Sequence, residues 1–196
     1  MTNYSQFKNW LLQSSLVNEH DFAMVEPYLT EKKIKEGDYF LTEGAICWQI
    51  GFINTGCFRS FYLKDGKEIN SRFFFEDDIV EEYDSFLLST PSKYFVQALE
   101  DAEIICFDLA TLQNAFDKSK NWERLGRLMA EKACTNSGKR VESLLFYTGE
   151  ERYVNLLNEA PEIFNRLPLF HIASYLGMER ESLSRIRRKI KIEPVL

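Results

Sequence analysis

The stretch LPLFHIASYLGMERESLSRIRRKI, Leu167 to Ile190, gives the clearest structural signal in the C-terminal part of the chain. Its first half has an apolar stripe at i, i+3, i+4 and i+7, which is typical of a helix: Leu169, Ile172, Ala173 and Leu176. Pro168 suits the first position of that helix, and Gly177 ends it as a left-handed cap would. A second helix begins near Glu179, with Leu183, Ile186 and Ile190 on its apolar side. The pattern predicts two helices joined by a short turn, as in a helix-turn-helix.

The second of these helices is strongly cationic in a chain that is acidic. From Gly177 to Ile190 there are five Arg or Lys residues against two Glu, whereas the whole chain of 196 residues has a net charge of -6. From Arg152 onwards eight basic and five acidic residues give +3, and the preceding residues give -9. This asymmetry points to an anionic partner for the C-terminal part alone. A solvated helix end is the alternative that charge leaves open.

The polar side of the cationic helix carries the residue types that read base edges. Arginine donates two hydrogen bonds to guanine, and glutamate accepts from cytosine, so residues in the first two turns are candidate readers. Basic residues further along would contact phosphates, which give affinity without sequence information. The candidate DNA-binding residues are Arg180, Glu181, Ser184, Arg185, Arg188 and Lys189.

The middle of the chain, from about Glu31 to Leu109, predicts many short antiparallel strands. Runs such as WQIGFINTG, CFRSFYLKDG and EIICFDL are rich in β-branched and aromatic residues and are separated by turn residues. Asp65-Gly66 is a strong signal for a hairpin with a primed turn. The spacing of the turns favours a two-sheet or closed β structure. Two short helices are expected before it, in the first ~30 residues.

A long helical pattern follows the strands. Trp122, Leu125, Met129 and Ala133 are three or four residues apart, and Val141, Leu144 and Leu145 resume the stripe. A lone helix of this length needs a surface on which to pack its stripe. Either a second copy of the chain or the β domain can supply that surface, and we expect the second copy.

The motifs together resemble those of Crp/Fnr-type bacterial transcription regulators. IASYLGMERESLSRIRRKI is similar to their helix-turn-helix, whose signature runs Ala, Gly, then Arg-Glu and Ser-Arg. The strand region, from IKEGDYFLTEG to VQALEDAEIICFD, resembles a cyclic-nucleotide-binding β-roll. The resemblance implies an α+β fold: an effector-binding jelly roll with N-terminal helices (1–117), a dimerisation helix (118–148) and a winged-helix-type DNA-binding domain (149–196). The wing is expected to be reduced or absent.

The same resemblance implies the partners and the role of the DNA-binding residues. Arg180, Glu181 and Arg185 become the base readers. A homodimer would present two such helices to a near-palindromic operator in double-stranded DNA. Contact with RNA polymerase is implied as well. We expect a cytoplasmic regulator that spans no membrane.

The effector site departs from the family pattern. The family's Gly-Glu pair, followed by Arg-Ser/Thr, holds a cyclic phosphate; here Glu81-Glu82 and Ser92-Lys93 stand at those positions. Glu81 would repel a phosphate, and lysine lacks the bidentate fork of arginine. We expect an effector other than cyclic AMP, and name as its candidate pocket Phe75, Glu81, Glu82, Tyr83, Ser92 and Lys93. The many aromatic rings around these residues either fill the core themselves or accept an unknown small-molecule effector.

Other classes of function find little support in the sequence. The two histidines, His20 and His171, lie in different predicted domains, so neither a catalytic pair nor a cupin-like metal site is expected. His171 and Ser174 are three residues apart on one helix and are interpreted as a polar edge of the helix pair. No cysteine cluster for an iron–sulfur centre precedes the strands, so no cofactor is expected. The competing hypothesis is a dimeric ligand-sensing or protein-interaction module whose helix-turn-helix is vestigial.

Overall fold

The computed structural model describes residues 4–192, with the side chains of residues 4–190. The two predicted N-terminal helices are present as α1 (Ser5–Gln13) and α2 (Glu19–Val25). Asn18 and Asp21 form a capping box at the start of α2. Helix α2 ends two residues before Pro27, which lies in a 3-10 turn, Glu26–Tyr28. Residues after Ile192, where a wing would follow, lie outside the described residues.

Eight strands form the middle of the chain, and they pair in two four-stranded sheets. One sheet has the order β1-β8-β3-β6 and the other β2-β7-β4-β5. The pairs β1–β8, β2–β7, β3–β6, β3–β8 and β4–β7 are antiparallel, which confirms the predicted two-sheet β-roll. The strands are β1 (Thr30–Ile34), β2 (Tyr39–Leu41), β3 (Gln49–Thr55), β4 (Phe58–Lys64), β5 (Lys67–Phe74), β6 (Ile79–Val80), β7 (Phe95–Ala98) and β8 (Ala102–Asp108).

The hairpin between β4 and β5 turns where the sequence predicts it. Asp65 and Gly66 have φ angles of 52° and 75°, so both central residues of the turn lie in the left-handed region. A two-residue primed turn requires this conformation, because its twist matches that of the flanking strands. The turn also sets the register of β5, which is one of the two edge strands of its sheet.

The main hydrophobic core of the β-roll includes residues from the N-terminal helices. Phe7 of α1 contacts Phe52 of β3 and Phe107 of β8, with ring centroids 5.0 and 5.9 Å apart. Trp122 donates from Nε1 to the carbonyl oxygen of Asp21 over 2.9 Å, which ties the later helices to α2. The first helices, α2 above all, are therefore an integral layer of the domain.

The short helix α3 (Tyr83–Leu88) lies between β6 and β7, and six further helices follow the last strand in the described residues. The predicted long helix is present as α5, Lys120–Phe146, slightly shorter than the expected 118–148. Its start buries Trp122 and Leu125, whereas Val141, Leu145 and Phe146 are exposed. Dimerisation through this helix stays a prediction. The others are α4 (Leu109–Lys118), α6 (Gly149–Glu159), α7 (Ile163–Arg166), α8 (Leu169–Tyr175) and α9 (Arg180–Ile192).

The chain divides into two compact units whose limits cut through secondary structure. One comprises the residues up to Tyr62 and those from Arg72 to Lys132; the other comprises Leu63–Ser71 and the residues from Ala133 onwards. The tip of the β4–β5 hairpin thus belongs with the C-terminal helices. The domain limits expected from the sequence, 1–117, 118–148 and 149–196, stay a prediction.

Candidate nucleic-acid interface and effector site

The turn between α8 and α9 is fixed by backbone hydrogen bonds around Gly177. The N–H of Met178 donates to the carbonyl of Ala173, and the N–H of Gly177 to that of Ser174, both over 3.0 Å. This is the Schellman pattern, and Gly177 adopts the positive φ of 66° that it requires. The predicted glycine cap is confirmed, although Pro168 lies one position earlier than expected, as the N-cap of α8.

Two arginines bind the remaining carbonyls at the C-terminal end of α8. Arg152 of α6 donates from Nε to the carbonyl oxygen of Leu176 over 2.8 Å. Arg140 of α5 donates to the carbonyl oxygen of Tyr175, and its guanidinium lies 4.0 Å from the centre of the Tyr175 ring. Because the last carbonyls of a helix have no partner within it, these cations hold the turn in place.

Helix α9 separates an apolar side from a polar side, as predicted. Leu183 is completely buried, and Ile186 and Ile190 are half-buried. The predicted base readers Arg180, Glu181 and Arg185 are exposed, as is Arg188, and Ser184 is half-buried. These five residues recur at positions i, i+1, i+4, i+5 and i+8, so the helix brings them to one face.

Among the described residues Lys189, unlike the other candidate basic residues of α9, forms an ion pair with a residue of another helix. Its Nζ lies 2.9 and 3.0 Å from the two carboxylate oxygens of Glu150 on α6. The pair is partly exposed, and such pairs contribute little net stability. A phosphate contact by Lys189 would require it to exchange Glu150 for the phosphate.

The candidate effector residues around β6 and α3 do not form one open polar site. Glu82 accepts the N–H of Ser85 over 2.8 Å and thereby caps α3. Ser92 is buried, and its hydroxyl both donates to the carbonyl and accepts from the N–H of Tyr94. Lys93 and Tyr83 are exposed, and Phe75 is half-buried. Local hydrogen bonds therefore occupy Glu82 and Ser92.

Glu81 is the candidate whose chemistry is most altered by its surroundings. Burial raises the pKa of its carboxyl group to about 7, although the positive charge of Arg72 acts in the opposite direction. Arg72 Nη1 lies 3.5 Å from Glu81, and Nη2 lies 3.1 Å from both oxygens of Asp78. One guanidinium thus faces two carboxyl groups.

Sequence reasoning missed Arg72, because it lies on β5 rather than at a position of the cyclic-nucleotide motif. Its guanidinium also stacks on Phe74, 4.4 Å from the ring centre. Of the aromatic rings close in sequence to the candidate effector residues, Phe73, Phe74 and Phe86 are buried. For these three rings the self-packed alternative is the one the structure has.

A separate cleft of about 400 Å³ lies between β1, β2 and the segment leading into β3. Lys32, Tyr39, Leu41, Cys47 and Trp48 are among its lining residues, and none of the six candidate effector residues is. In the described part of the chain no group of three His, Cys, Asp or Glu side chains could hold a metal ion. Nor does any helix there have the length and apolar character needed to cross a membrane.

The strand region matches a known family model. Residues 31–119 match the family described as the cyclic nucleotide-binding domain. No curated protein matches the chain.

Solved structures share the fold of most of the chain at low sequence identity. FixK2 from Bradyrhizobium japonicum has a TM-score of 0.71 at 19% identity, covering 84% of this chain and 85% of its own. A CooA mutant from Carboxydothermus hydrogenoformans has a TM-score of 0.72 at 17% identity, over 95% and 88% of the chains. A regulator assigned to the Crp/Fnr family from Eubacterium rectale has 0.71 at 17% identity, over 94% and 88%. The predicted resemblance to Crp/Fnr-type regulators is confirmed at the level of the fold.

Proposed function

We propose that this chain is a sequence-specific DNA-binding transcription regulator. Its strand region matches the cyclic nucleotide-binding domain, and its fold resembles that of Crp/Fnr-type regulators. The observation that carries the proposal is the polar face of α9. Arg180, Glu181 and Arg185 are exposed together in its first two turns, on a helix held by a Schellman turn after α8. A helix presented in this way can enter the major groove with its N-terminal residues at the base edges.

The roles within that face follow from side-chain chemistry. Arg180 and Arg185 would donate to guanine O6 and N7, and Glu181 would accept from a cytosine amino group. Arg188, and Lys189 once released from Glu150, would contact phosphates. Ser184 can bond to a base or a phosphate. A homodimer, a near-palindromic operator, RNA polymerase contact and a cytoplasmic location complete the proposal as predictions from the resemblance.

We propose further that cyclic AMP is not the effector. A cyclic phosphate carries a negative charge, and at the β6–α3 segment it would meet Asp78 and, above pH 7, a charged Glu81. Arg72 already contacts both of these carboxyl groups. We expect cyclic AMP at millimolar concentration to leave the melting temperature of the protein unchanged. A dose-dependent rise would show binding to the native state and would contradict this part of the proposal.

The DNA-binding function is tested with the full-length protein and fluorescently labelled duplex. We expect binding to generic duplex at low salt, with the logarithm of the affinity falling linearly as the logarithm of salt concentration rises. Selection from a random duplex pool should then yield a near-palindromic site. Arg180→Ala should cost roughly 1–3 kcal/mol on that site and relax its sequence preference at one base pair in each half.

Arg124→Ala is the matched control, since it removes an exposed arginine from α5 at a distance in sequence from α9. It should leave the preferred sequence unchanged. Absence of any salt-sensitive duplex binding by the wild-type protein would refute the regulator function. That result would favour the alternative, a dimeric ligand-sensing or protein-interaction module with a vestigial helix-turn-helix.

A further inference from the structure

A pair of buried polar side chains joins the tip of the β4–β5 hairpin to helix α8. Asn70 is only 2% exposed and His171 only 6% exposed, although both side chains are polar. The side-chain nitrogen of Asn70 lies 3.1 Å from the carbonyl oxygen of His171 and 3.2 Å from its Nδ1. One amide group therefore contacts both the main chain and the side chain of the same helical residue. Buried polar groups are kept where such bonds are made.

Ser174, one turn after His171, makes the second part of this contact. Its hydroxyl accepts the backbone N–H of Asn70 over 3.0 Å and donates to the carbonyl oxygen of Glu68 over 2.8 Å. Glu68 and Asn70 are two residues apart on an edge strand, so their backbone groups point to the same open edge. The hydroxyl of Ser174 thus takes the place of a neighbouring strand at that edge.

From the sequence, His171 and Ser174 are interpreted as a polar edge of the helix pair, whereas in the structure both bond to strand β5. The Ser174 proton goes to Glu68 rather than to His171, so the two residues do not act as nucleophile and base. Their spacing of three residues places both on the face of α8 that meets the hairpin. We name the contact formed by Glu68, Asn70, His171 and Ser174 the hairpin latch.

We propose that Asn70 is a positioning residue for DNA binding, which fixes the helix pair α8–α9 against the hairpin through the latch. This inference rests on the proposed function. It adds that the position of the base-reading face depends on the β4–β5 hairpin. Helix α9 follows α8 after the Schellman turn and buries Leu183 completely, so a fixed α8 also fixes α9. Arg180 and Arg185 remain exposed in the latched arrangement. The latch therefore leaves the proposed base-reading face accessible.

The energetic reason is pre-organisation. A recognition helix that is free to swing must lose that freedom when it binds, and the loss weakens the complex. A second contact between hairpin and helix, Lys67 to Glu179 at 3.5 Å, is largely exposed on both sides and is expected to contribute little. We therefore expect the buried bonds of Asn70 to contribute more to the position of α8 than this ion pair does.

The experiment compares Asn70→Ala and Asn70→Asp with the wild-type protein on the selected duplex. We expect both to lower the affinity roughly tenfold, since aspartate keeps the shape of asparagine but has no N–H to donate. Ile69→Ala, which changes an exposed neighbour on the same strand, is the control and should bind as the wild type does. Ser174→Ala removes the hydroxyl bridge and should also weaken binding. It serves as a second test if an Asn70 variant folds poorly.

A spectroscopic signal separates positioning from general loss of structure and from failure of the proposed function. The amide N–H of Asn70 donates to His171 Nδ1, so Nδ1 must be the acceptor. This requires the His171 tautomer that carries its proton on Nε2. The chain has only two histidines, so nitrogen NMR of histidine-labelled protein reports His171 directly, with exposed His20 as the internal reference. We expect Asn70→Ala to change the His171 signals and leave those of His20 unaltered.

The outcomes are distinct. A proton on His171 Nδ1 in the neutral wild-type protein would overturn the latch whether or not duplex is bound. An unchanged affinity in both Asn70 variants and in Ser174→Ala would overturn its positioning role. A latch seen by NMR in a protein that binds no duplex would refute the proposed function and, with it, the positioning role, while leaving the contact itself established.

Discussion

Among single residues, Glu81 has the clearest expected effect on the stability of the folded protein. Its pKa is raised from 4.5 to about 7, mainly because burial disfavours the charged form. Between pH 4.5 and about pH 7, Glu81 keeps its proton in the folded protein but releases it in the unfolded chain. The free energy of unfolding therefore falls as the pH rises through this range, and the loss is complete above pH 7.

Glu81→Gln removes this dependence, because glutamine resembles the protonated carboxyl group at every pH. We expect the variant to match the wild type near pH 4.5 and to be more stable by roughly 1–3 kcal/mol at pH 8. Urea unfolding at a series of pH values measures the difference.

Glu103→Gln is the control, since this carboxylate lies at an exposed ion pair with Lys33. Its difference from the wild type should stay small over the same pH range. A Glu81→Gln difference that is constant with pH would contradict the buried, proton-retaining state of Glu81.

Residues differ in how far the sequence alone reveals their role. The exposed Arg180 and Arg185 could be recognised from their spacing on one helix. Arg72 could not, because its partners Asp78 and Glu81 belong to a different segment and only the folding of β5 beside that segment brings them together. The sequence predicts that Glu81 repels phosphate. It does not predict the raised pKa of Glu81, because that depends on burial in the folded protein.

At the scale of single elements, the turn between α8 and α9 is the most sensitive point. Gly177→Ala would force a side chain into a φ of 66° and place its Cβ 3.3 Å from Leu144 Cδ2. We expect a loss of about 1–2 kcal/mol in the free energy of unfolding, measured by urea denaturation. Gly177→Asn is the matched variant, because asparagine tolerates the left-handed region and should recover part of the loss. Equal stability of the alanine variant and the wild type would contradict the glycine cap.

Elements whose signal is local were predicted well. The hairpin turn at Asp65-Gly66, the two early helices and the pair α8–α9 follow from turn residues and from periodicity within about ten residues. The short α3 was not predicted: its six residues are too few for a periodic pattern, and Glu82, assigned to an effector, caps it instead.

At the scale of the whole molecule, the exposed end of α5 is where a second copy is expected to pack. Leu144 lies near Gly177 of the same chain, which leaves Val141 and Leu145, 56% and 71% exposed, as apolar neighbours at i and i+4. An exposed apolar stripe on a long helix is unfavourable in water unless a partner covers it.

Leu145→Glu should therefore shift the protein from dimer toward monomer of 23.0 kDa, because it places a charge in the expected interface. Light scattering after size-exclusion chromatography at several concentrations measures the change. Asn136→Glu, which adds the same charge at an exposed position on the opposite side of α5, is expected to remain dimeric. A wild-type protein that is monomeric at all concentrations would refute dimerisation through α5.

Most strands and helices, though not the short α3, and the outward-facing residues of α9 can be predicted from the sequence, since these features depend on neighbours along the chain. The partners of Arg72, the raised pKa of Glu81 and the attachment of the hairpin tip to the C-terminal helices depend on the folded arrangement. Asn70 and His171 are 101 residues apart in the chain, and no local pattern encodes their contact. Burial and long-range hydrogen bonding depend on how distant segments pack, and so they become readable only once the chain is folded.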